Sequence, residues 1–576
     1  GDFYFSGMDT ASIETAGLTP LRGELAGIDS VNLQSLAAEI AHLQRIGASP
    51  AFTFYVAQDD KQSEKYAVML AQGGLGLPDR DYYFNADAKT ANIRGEYVKH
   101  LAAMFKLLEQ DEAAAAKSAA TVMKLETDLA KASRKLEALR DPQKNYNKMA
   151  VSGLNKLTPS ISWKATLENL GVTNADTVIV GQPEFFTALE KSLKTFSIEE
   201  WKTYLRWTLV NAYAENLSRA FDKQNFYFYS TLLSGVKEQR PRWTRVVSQT
   251  DGQLGELIGQ VYVGEYVPKG TKEKLAEIGA NIREVYAERI RSLEWMSDST
   301  KAKALNKLGK IVMKVGYPDK WKDMSALEIS RTSYAQNVMR ANAWSHDYMT
   351  AKFGKPVDRT EWGMYPQTYN AYYNPSNNEI VVPASNIIVP GYEGRLPDDA
   401  ILYGIIGGST FGHEITHGFD DQGSQYDDKG NLSNWWTLED SLKFRGKTKR
   451  IVEQFTRYTV LDSLHLNGDA TQGENIADLG GVVMGYEAFK KTKQWKEHQI
   501  IGGLTPDQRY FLGYAYAWMI NMRPESLTRQ VMTDVHSPAP FRVIGPVSNM
   551  PEFYTAFGIK EGDAMWRPDS ARVKIW

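Results

Sequence analysis

The chain has 576 residues, 43% of them hydrophobic and 24% charged, with a net charge of −2. That length exceeds a single hydrophobic core and predicts two domains, while the near-neutral charge excludes a nucleic-acid binder, which needs a basic excess. No apolar run reaches membrane-spanning length, and the absence of cysteine excludes disulfides, a thiol nucleophile and cysteine-ligated zinc.

Zero cysteine fits an extracytoplasmic bacterial protein, whether periplasmic, secreted or lipoprotein-anchored, with the cytoplasm as the alternative. No signal peptide opens the chain, as expected of a mature form. In chain order, "IDSVNLQSLAAEIAHLQRIG" (28–47) predicts a helix capped at Asp29 or Ser30 and stopped at Gly47. "GGLGLPDRDYYF" (73–84) reads as a turn-rich loop between helices. The stretch from Asp111 to Asp141 is rich in Ala, Lys and Glu and amphipathic over its length. "IEEWKTYLRWTLVNAYAENL" (198–217) and "KEKLAEIGANIREVYAERIRSLEWM" (272–296) continue the helical pattern. None of this half carries a catalytic motif, so residues 1–336 read as a mainly helical domain.

The texture changes near residue 337. "QTYNAYYNPSNNEIVVPAS" predicts a β-hairpin, Tyr369 to Tyr373 and Glu379 to Val382, about the turn "NPSNN". A helix then spans 401–418, with Asp398 or Asp399 as cap, and helices return after Gly473. The first of these carries "FGHEITHGFD" (411–420). On a helix, residues four apart share a face. His413 and His417 can therefore offer two imidazole nitrogens to one point about 2 Å away, the distance zinc prefers. Glu414 is rotated to the side of that point, where it reaches a water rather than the metal. Gly407, Gly408 and Gly412 weaken a helix and predict a close approach to that face.

A catalytic zinc needs a third protein ligand and one open position. "GENIADLGG" (473–481) offers Glu474 and Asp478, one helical turn apart. One can ligate while the other orients a liganding histidine, and spacing alone does not assign the two roles. "TDVHSPAPFRVIG" (533–545) carries Asp534, His536 and Arg542. These are a histidine able to donate to an oxyanion, a carboxylate able to hold it protonated, and a planar fork suited to a carbonyl or carboxylate.

"NAYYNP", "GHEITHGFDDQG", "GENIADLGG" and "DVHSPAPFRVIG" occur in that order, and together they resemble the neprilysin family of zinc metallopeptidases. "GGLGLPDRDYY", "WWT" (435–437) and the closing "RPDSARVKIW" extend the resemblance through most of the chain. It implies a mainly α-helical fold with a small β component: a thermolysin-like catalytic domain over 337–576, and a helical domain that caps it and encloses a cavity. It implies one zinc ion held by His413, His417 and Glu474, with Asp478 behind them and Glu414 as general base. It implies His536 as transition-state stabiliser, oriented by Asp534, and Arg542 as a ligand of the substrate carbonyl. Asn370 and Ala371 match the family's clamp on the substrate backbone, along a strand edge open to β-augmentation. Trp518 matches a wall of the pocket for the residue after the scissile bond.

The sequence departs from the family at three places. Ser409 and Thr410 stand where pocket lining is apolar, Val573 stands where cysteine is common, and the aromatic-rich N-terminal signature has no counterpart. The expected partners are peptide substrates and a separate N-terminal fragment, on a monomeric chain that does not span a membrane. The expected activity is that of a zinc metalloendopeptidase of the gluzincin type. The rivals are a zinc aminopeptidase, whose distal glutamate follows the histidines far sooner, and a catalytically idle peptide-binding protein.

Overall fold

The computed structural model describes residues 1–392 and 394–576. Among the described residues helices dominate, and three small sheets punctuate them. The first sheet lies in the helical half, where sequence texture predicts none. Strands β1 (Phe52–Asp59) and β2 (Gln62–Gln72) form an antiparallel hairpin, with Phe52 opposite Gln72. Strands β3 (Asn147–Ala150) and β4 (Thr177–Val180) complete the order β1-β2-β4-β3. Phe52, Phe54 and Val56 are buried while Thr53 and Tyr55 face out, the two-residue period of a half-buried strand. The "GGLGLPDRDYYF" loop thus follows a strand, not a helix.

Asp29 and Ser30 close the helix Arg22–Ser30 and do not cap the next one. That helix, Leu36–Arg45, starts after Asn32, whose Oδ1 accepts the amides of Gln34 and Ser35 at 2.9 and 3.1 Å. Gly47 sits just beyond its end with φ +91°. The Ala-rich helix is Glu112–Ala132, with the Asp111 carboxylate accepting the Ala114 amide at 2.8 Å. Extended backbone at Ser133 ends it, and only the short helix Leu136–Leu139 follows.

Two large hydrophobic cores account for most of the buried described residues, and each draws on residues from both sides of position 336. The first gathers residues from Phe3 to Leu233 and recruits Tyr334, Val338 and Met339 from the later helix Tyr334–Thr350. The second takes Leu275 to Ile311, from helices Thr271–Ser292 and Asp298–Lys310, together with Ile380 to Trp576. Amphipathic periodicity shows that a helix buries one face, not which core receives it. Between the cores runs Arg242–Tyr266, broken by a non-helical Leu254.

The second sheet has the order β5-β7-β6. Strand β5 (Val312–Gly316) pairs in parallel with β7 (Glu379–Pro383), which pairs antiparallel with β6 (Tyr372–Asn374). The predicted hairpin forms about residues 375–378, although β6 starts later than expected and Tyr369 lies outside it. Strand β6 is an edge, and Asn370 and Ala371 lead directly into it. No helix among the described residues is long and apolar enough to cross a membrane.

Candidate metal centre

The helical run Asp399–Leu402, Tyr403–Gly412 and His413–His417 carries the two histidines. Asp398 is its cap, accepting the Ala400 amide at 3.1 Å. The middle segment is wound as a π-helix, a form concentrated at functional sites. The helix Gly468–Lys490, capped by Asn467 and starting before Gly473, carries the two carboxylates. Glycine lets these helices touch backbone to backbone. A Cβ on Gly412 would lie 2.9 Å from the Gly481 Cα, and one on Gly481 would lie 2.9 Å from the His413 amide nitrogen. The close approach foretold by the glycines is therefore to the second helix, and it brings Glu474 and Asp478 up to the imidazoles.

Each histidine is held by its own carboxylate. His413 Nδ1 meets Asp478 Oδ1 at 2.9 Å, and His417 Nδ1 meets Asp420 Oδ2 at 2.7 Å. Both Nδ1 atoms therefore donate, which leaves the Nε2 lone pairs facing each other 2.9 Å apart. Glu474 closes the triangle, with Oε2 3.3 Å from His413 Nε2 and Oε1 3.6 Å from His417 Nε2. Its Oε2 is buried and has no hydrogen-bond partner. Two imidazole nitrogens and a carboxylate converging on one point form an N,N,O ligand set suited to zinc, which would displace the proton the metal-free cluster shares among them. Glu414, His413 and His417 also present ligand atoms within 4.8 Å of one another. Glu474 fits the third position better than Glu414, since its two oxygens reach both Nε2 atoms.

Burial opposes charge throughout this cluster, and the partners decide the outcome. Burial works against ionising Glu474, yet His417 and His413 hold its carboxyl well below the usual range. Burial likewise disfavours the imidazolium of His417, but Glu474 and Asp420 push its pKa well above the ordinary value. Burial raises Glu414, the direction a general base needs to work near neutrality. Asp478, fully buried, stays ionised because the Arg542 charge offsets its desolvation.

A cavity of about 430 Å³ opens on these groups. Nine of the residues singled out from sequence line it: Asn370, Ala371, His413, Glu414, His417, Glu474, Trp518, His536 and Arg542. Asp478 and Asp534 lie behind it as partners of lining residues. His536 Nδ1 is 2.7 Å from Asp534 Oδ1, while its Nε2 is 3.3 Å from Glu474 Oε2, so the ring presents Nε2 to the cavity. Arg542 stacks 3.8 Å over Trp518 and grips Asp478 through Nε and Nη2, each at 2.8 Å. Only Nη1 remains uncommitted for a substrate carbonyl. Ser409 also lines the cavity, whereas Thr410 is buried in the helix. No lining residue comes from the first-core unit; that unit adds Ser234 to an adjoining cavity of about 480 Å³, which shares Trp518, His536 and Arg542. Another cavity, of about 810 Å³, lies in the first unit between Leu36, Ile161 and Phe196, and none of these site residues lines it.

Two supporting residues escape the sequence reading. Asp420 stands in the quoted stretch itself, three residues after His417; its Oδ1 also accepts the amides of Gln422 and Gly423 at 2.8 and 2.7 Å. Lys307, 1% exposed, donates from Nζ to the carbonyls of Gly418, Gly423 and Tyr426 at 2.6–2.7 Å. It thereby fixes the loop that carries Asp420. Burial pushes the Lys307 ammonium down to about 7, against the opposing pull of the Asp420, Asp427 and Asp428 charges.

Models of peptidase family M13 match residues 1–318 and 370–573. An endothelin-converting enzyme homolog from Locusta migratoria is 32% identical over 98% of this chain and 81% of its own. Human endothelin-converting enzyme 1 is 33% identical over 91% of this chain and 70% of its own. Among solved structures, the Mycobacterium tuberculosis zinc metalloprotease ZMP1 in complex with an inhibitor superposes with a TM-score of 0.96 at 39% identity, covering 100% of this chain and 88% of that one. The same protein in an open state superposes with a TM-score of 0.72, covering 100% of this chain and 90% of that one.

Proposed function

The chain belongs to peptidase family M13, the neprilysin family of metallopeptidases, and from that premise we propose that it is a zinc endopeptidase hydrolysing internal bonds of oligopeptides. The observation that carries the reading is the pair of Nε2 atoms facing each other at 2.9 Å, with the two Glu474 oxygens 3.3 and 3.6 Å from them. His413, His417 and Glu474 would hold the metal. Zinc bound there supplies Lewis acidity, polarising a carbonyl and lowering the pKa of water toward ~7.

The chain's own groups do the rest. Glu414 takes a proton on its carboxylate as water attacks the peptide carbonyl, and returns it to the departing amine. His536, protonated at Nδ1 toward Asp534, donates from Nε2 to the oxygen that becomes negative. Asn370 and Ala371, leading into the open edge of β6, hold the peptide backbone as an added strand. Arg542 Nη1 takes a carbonyl, and Trp518 forms the wall beneath it. The first unit acts as a sieve beside the cavity, joined to the second where Ser526 Oγ donates to the Ser234 carbonyl at 2.9 Å.

The test is digestion of peptides with blocked and free amino termini, read by mass spectrometry with and without a chelator. Internal, chelator-sensitive cuts in a blocked peptide support the reading. Trimming of free amino termini alone would make the chain an aminopeptidase, and no metal-dependent cleavage would make it a binding protein.

A further inference from the structure

The segment after helix Glu112–Ala132 belongs to the first unit at both ends. Arg134 pairs with Glu184, and its Nη1 reaches Asn145 Oδ1 at 3.1 Å. The Asn145 amide in turn ties the carbonyls of Ala138, Leu139 and Asp141 at 2.7–3.1 Å. From this braced loop Arg140 extends across to the second unit. Its Nη2 lies 3.0 Å from both carboxylate oxygens of Asp421, and the two side chains are only 11% and 18% exposed.

That contact falls against the metal centre. Asp421 follows Asp420, the carboxylate that orients His417. Gly473 precedes Glu474. A Cβ on Gly473 would lie 2.5 Å from Arg140 Nη2, 2.8 Å from Asp421 Oδ1 and 3.2 Å from Asp420 Oδ2. A bare backbone at 473 is therefore what allows the guanidinium and both aspartates to meet beside Glu474. Arg140 Nε is buried there without a partner. An unsatisfied buried donor is costly, so the arginine is not placed for its own solvation.

We infer that Arg140 is a positioning residue of the first unit, which fixes the Asp420–His417 side of the metal centre through Asp421 only while the two units are in contact. The metal centre is built wholly from the second unit, yet its His417 side would then register whether the units are together. The His413 side, held by Asp478 and Arg542 within the second unit, would not. The inference rests on the zinc reading above, and its test is chosen to fail separately.

The full chain is prepared metal-free with its histidine rings isotopically labelled, as wild type, Arg140→Ala, Arg140→Lys and Asp421→Asn. Ring resonances, zinc affinity by chelator competition and melting temperature are measured on each. The expected result is that Arg140→Ala and Asp421→Asn move the His417 signals but not those of His413. Zinc affinity should fall roughly 3–10-fold, less than the ~10–100-fold typical of a residue touching the ligand itself. Because one nitrogen serves both carboxylate oxygens, a lysine ammonium can replace it, and Arg140→Lys should restore both readouts. A lower melting temperature with His417 signals and affinity unchanged would overturn the inference and leave Arg140 as a strut between units. If wild type binds no zinc while Arg140→Ala still moves His417 alone, the zinc reading falls and the positioning role stands.

Discussion

Replacing Asp478 by asparagine separates two jobs that one carboxylate performs. Asp478 is fully buried; it accepts from His413 Nδ1 at 2.9 Å and from Arg542 through two contacts of 2.8 Å. The amide keeps the shape, loses the charge, and has one acceptor oxygen for three donors. Arg542 would then face Glu474 Oε2, at 3.6 Å, as its nearest remaining anion. Breaking a buried ion pair from one side costs about 3–5 kcal/mol. For a unit of this size that corresponds to a drop of roughly 6–20 °C in melting temperature. Loss of the acceptor that fixes the His413 tautomer should weaken zinc by ~10–100-fold. Melting of the metal-free protein reads the first effect, and competition with a chromogenic chelator reads the second. A large drop in melting temperature with zinc affinity within twofold of wild type would refute the orienting role and leave Asp478 as the counter-ion of Arg542 alone.

Glu414→Gln should retain zinc at wild-type affinity and lose ~10²–10⁴ in turnover; zinc loss comparable to that of His413→Ala would show that Glu414 is a ligand. Lys307→Met keeps the volume but strips a donor from three buried carbonyls; those of Gly423 and Tyr426 keep the Tyr426 amide and Trp435 Nε1, whereas that of Gly418 is left unmet at a cost of ~1–3 kcal/mol. Hydrogen exchange at the Gln422 and Gly423 amides should accelerate roughly 5–150-fold, and unchanged protection there would refute the bracing role. Glu126, fully buried in the first core, has a carboxyl that burial raises to about 7 against hydrogen bonds from Tyr83, Tyr97 and Trp207. The folded state then holds a proton that the unfolded chain releases near 4.5. The stabilisation is complete below pH 4.5 and is lost as pH rises through 7, a change of roughly 3 kcal/mol. Melting of the first core should therefore fall over that window in wild type relative to Glu126→Gln, and parallel curves would sink the argument.

The chemistry was legible where a single helix enforces the geometry. Four residues from His413 to His417, and four from Glu474 to Asp478, put each pair on one face whatever the rest of the fold does. The acid at 420 obeys the same logic, since it stands three residues beyond His417, but an aspartate beside another aspartate in a turn gives no sign of which one faces inward. Sequence could show that Gly412 admits something close. It could not show that the visitor is Gly481, and that crossing is what turns two separate motifs into one donor set. Lys307 and Arg140 carry no signature at all. Each is one cation on an ordinary amphipathic or turn-rich stretch, and what it does depends on three carbonyls or one carboxylate far away in sequence. Which core a helix joins was hidden for the same reason. The pattern of Leu275, Ile278, Ile282 and Val285 declares a buried face, while its destination is set by the parallel pairing of β5 with β7. Within each helix the pairing of the side chains is thus fixed by local periodicity. The groups that would hold those side chains still are fixed only by tertiary contact, and that is where substitutions outside every motif should alter zinc affinity.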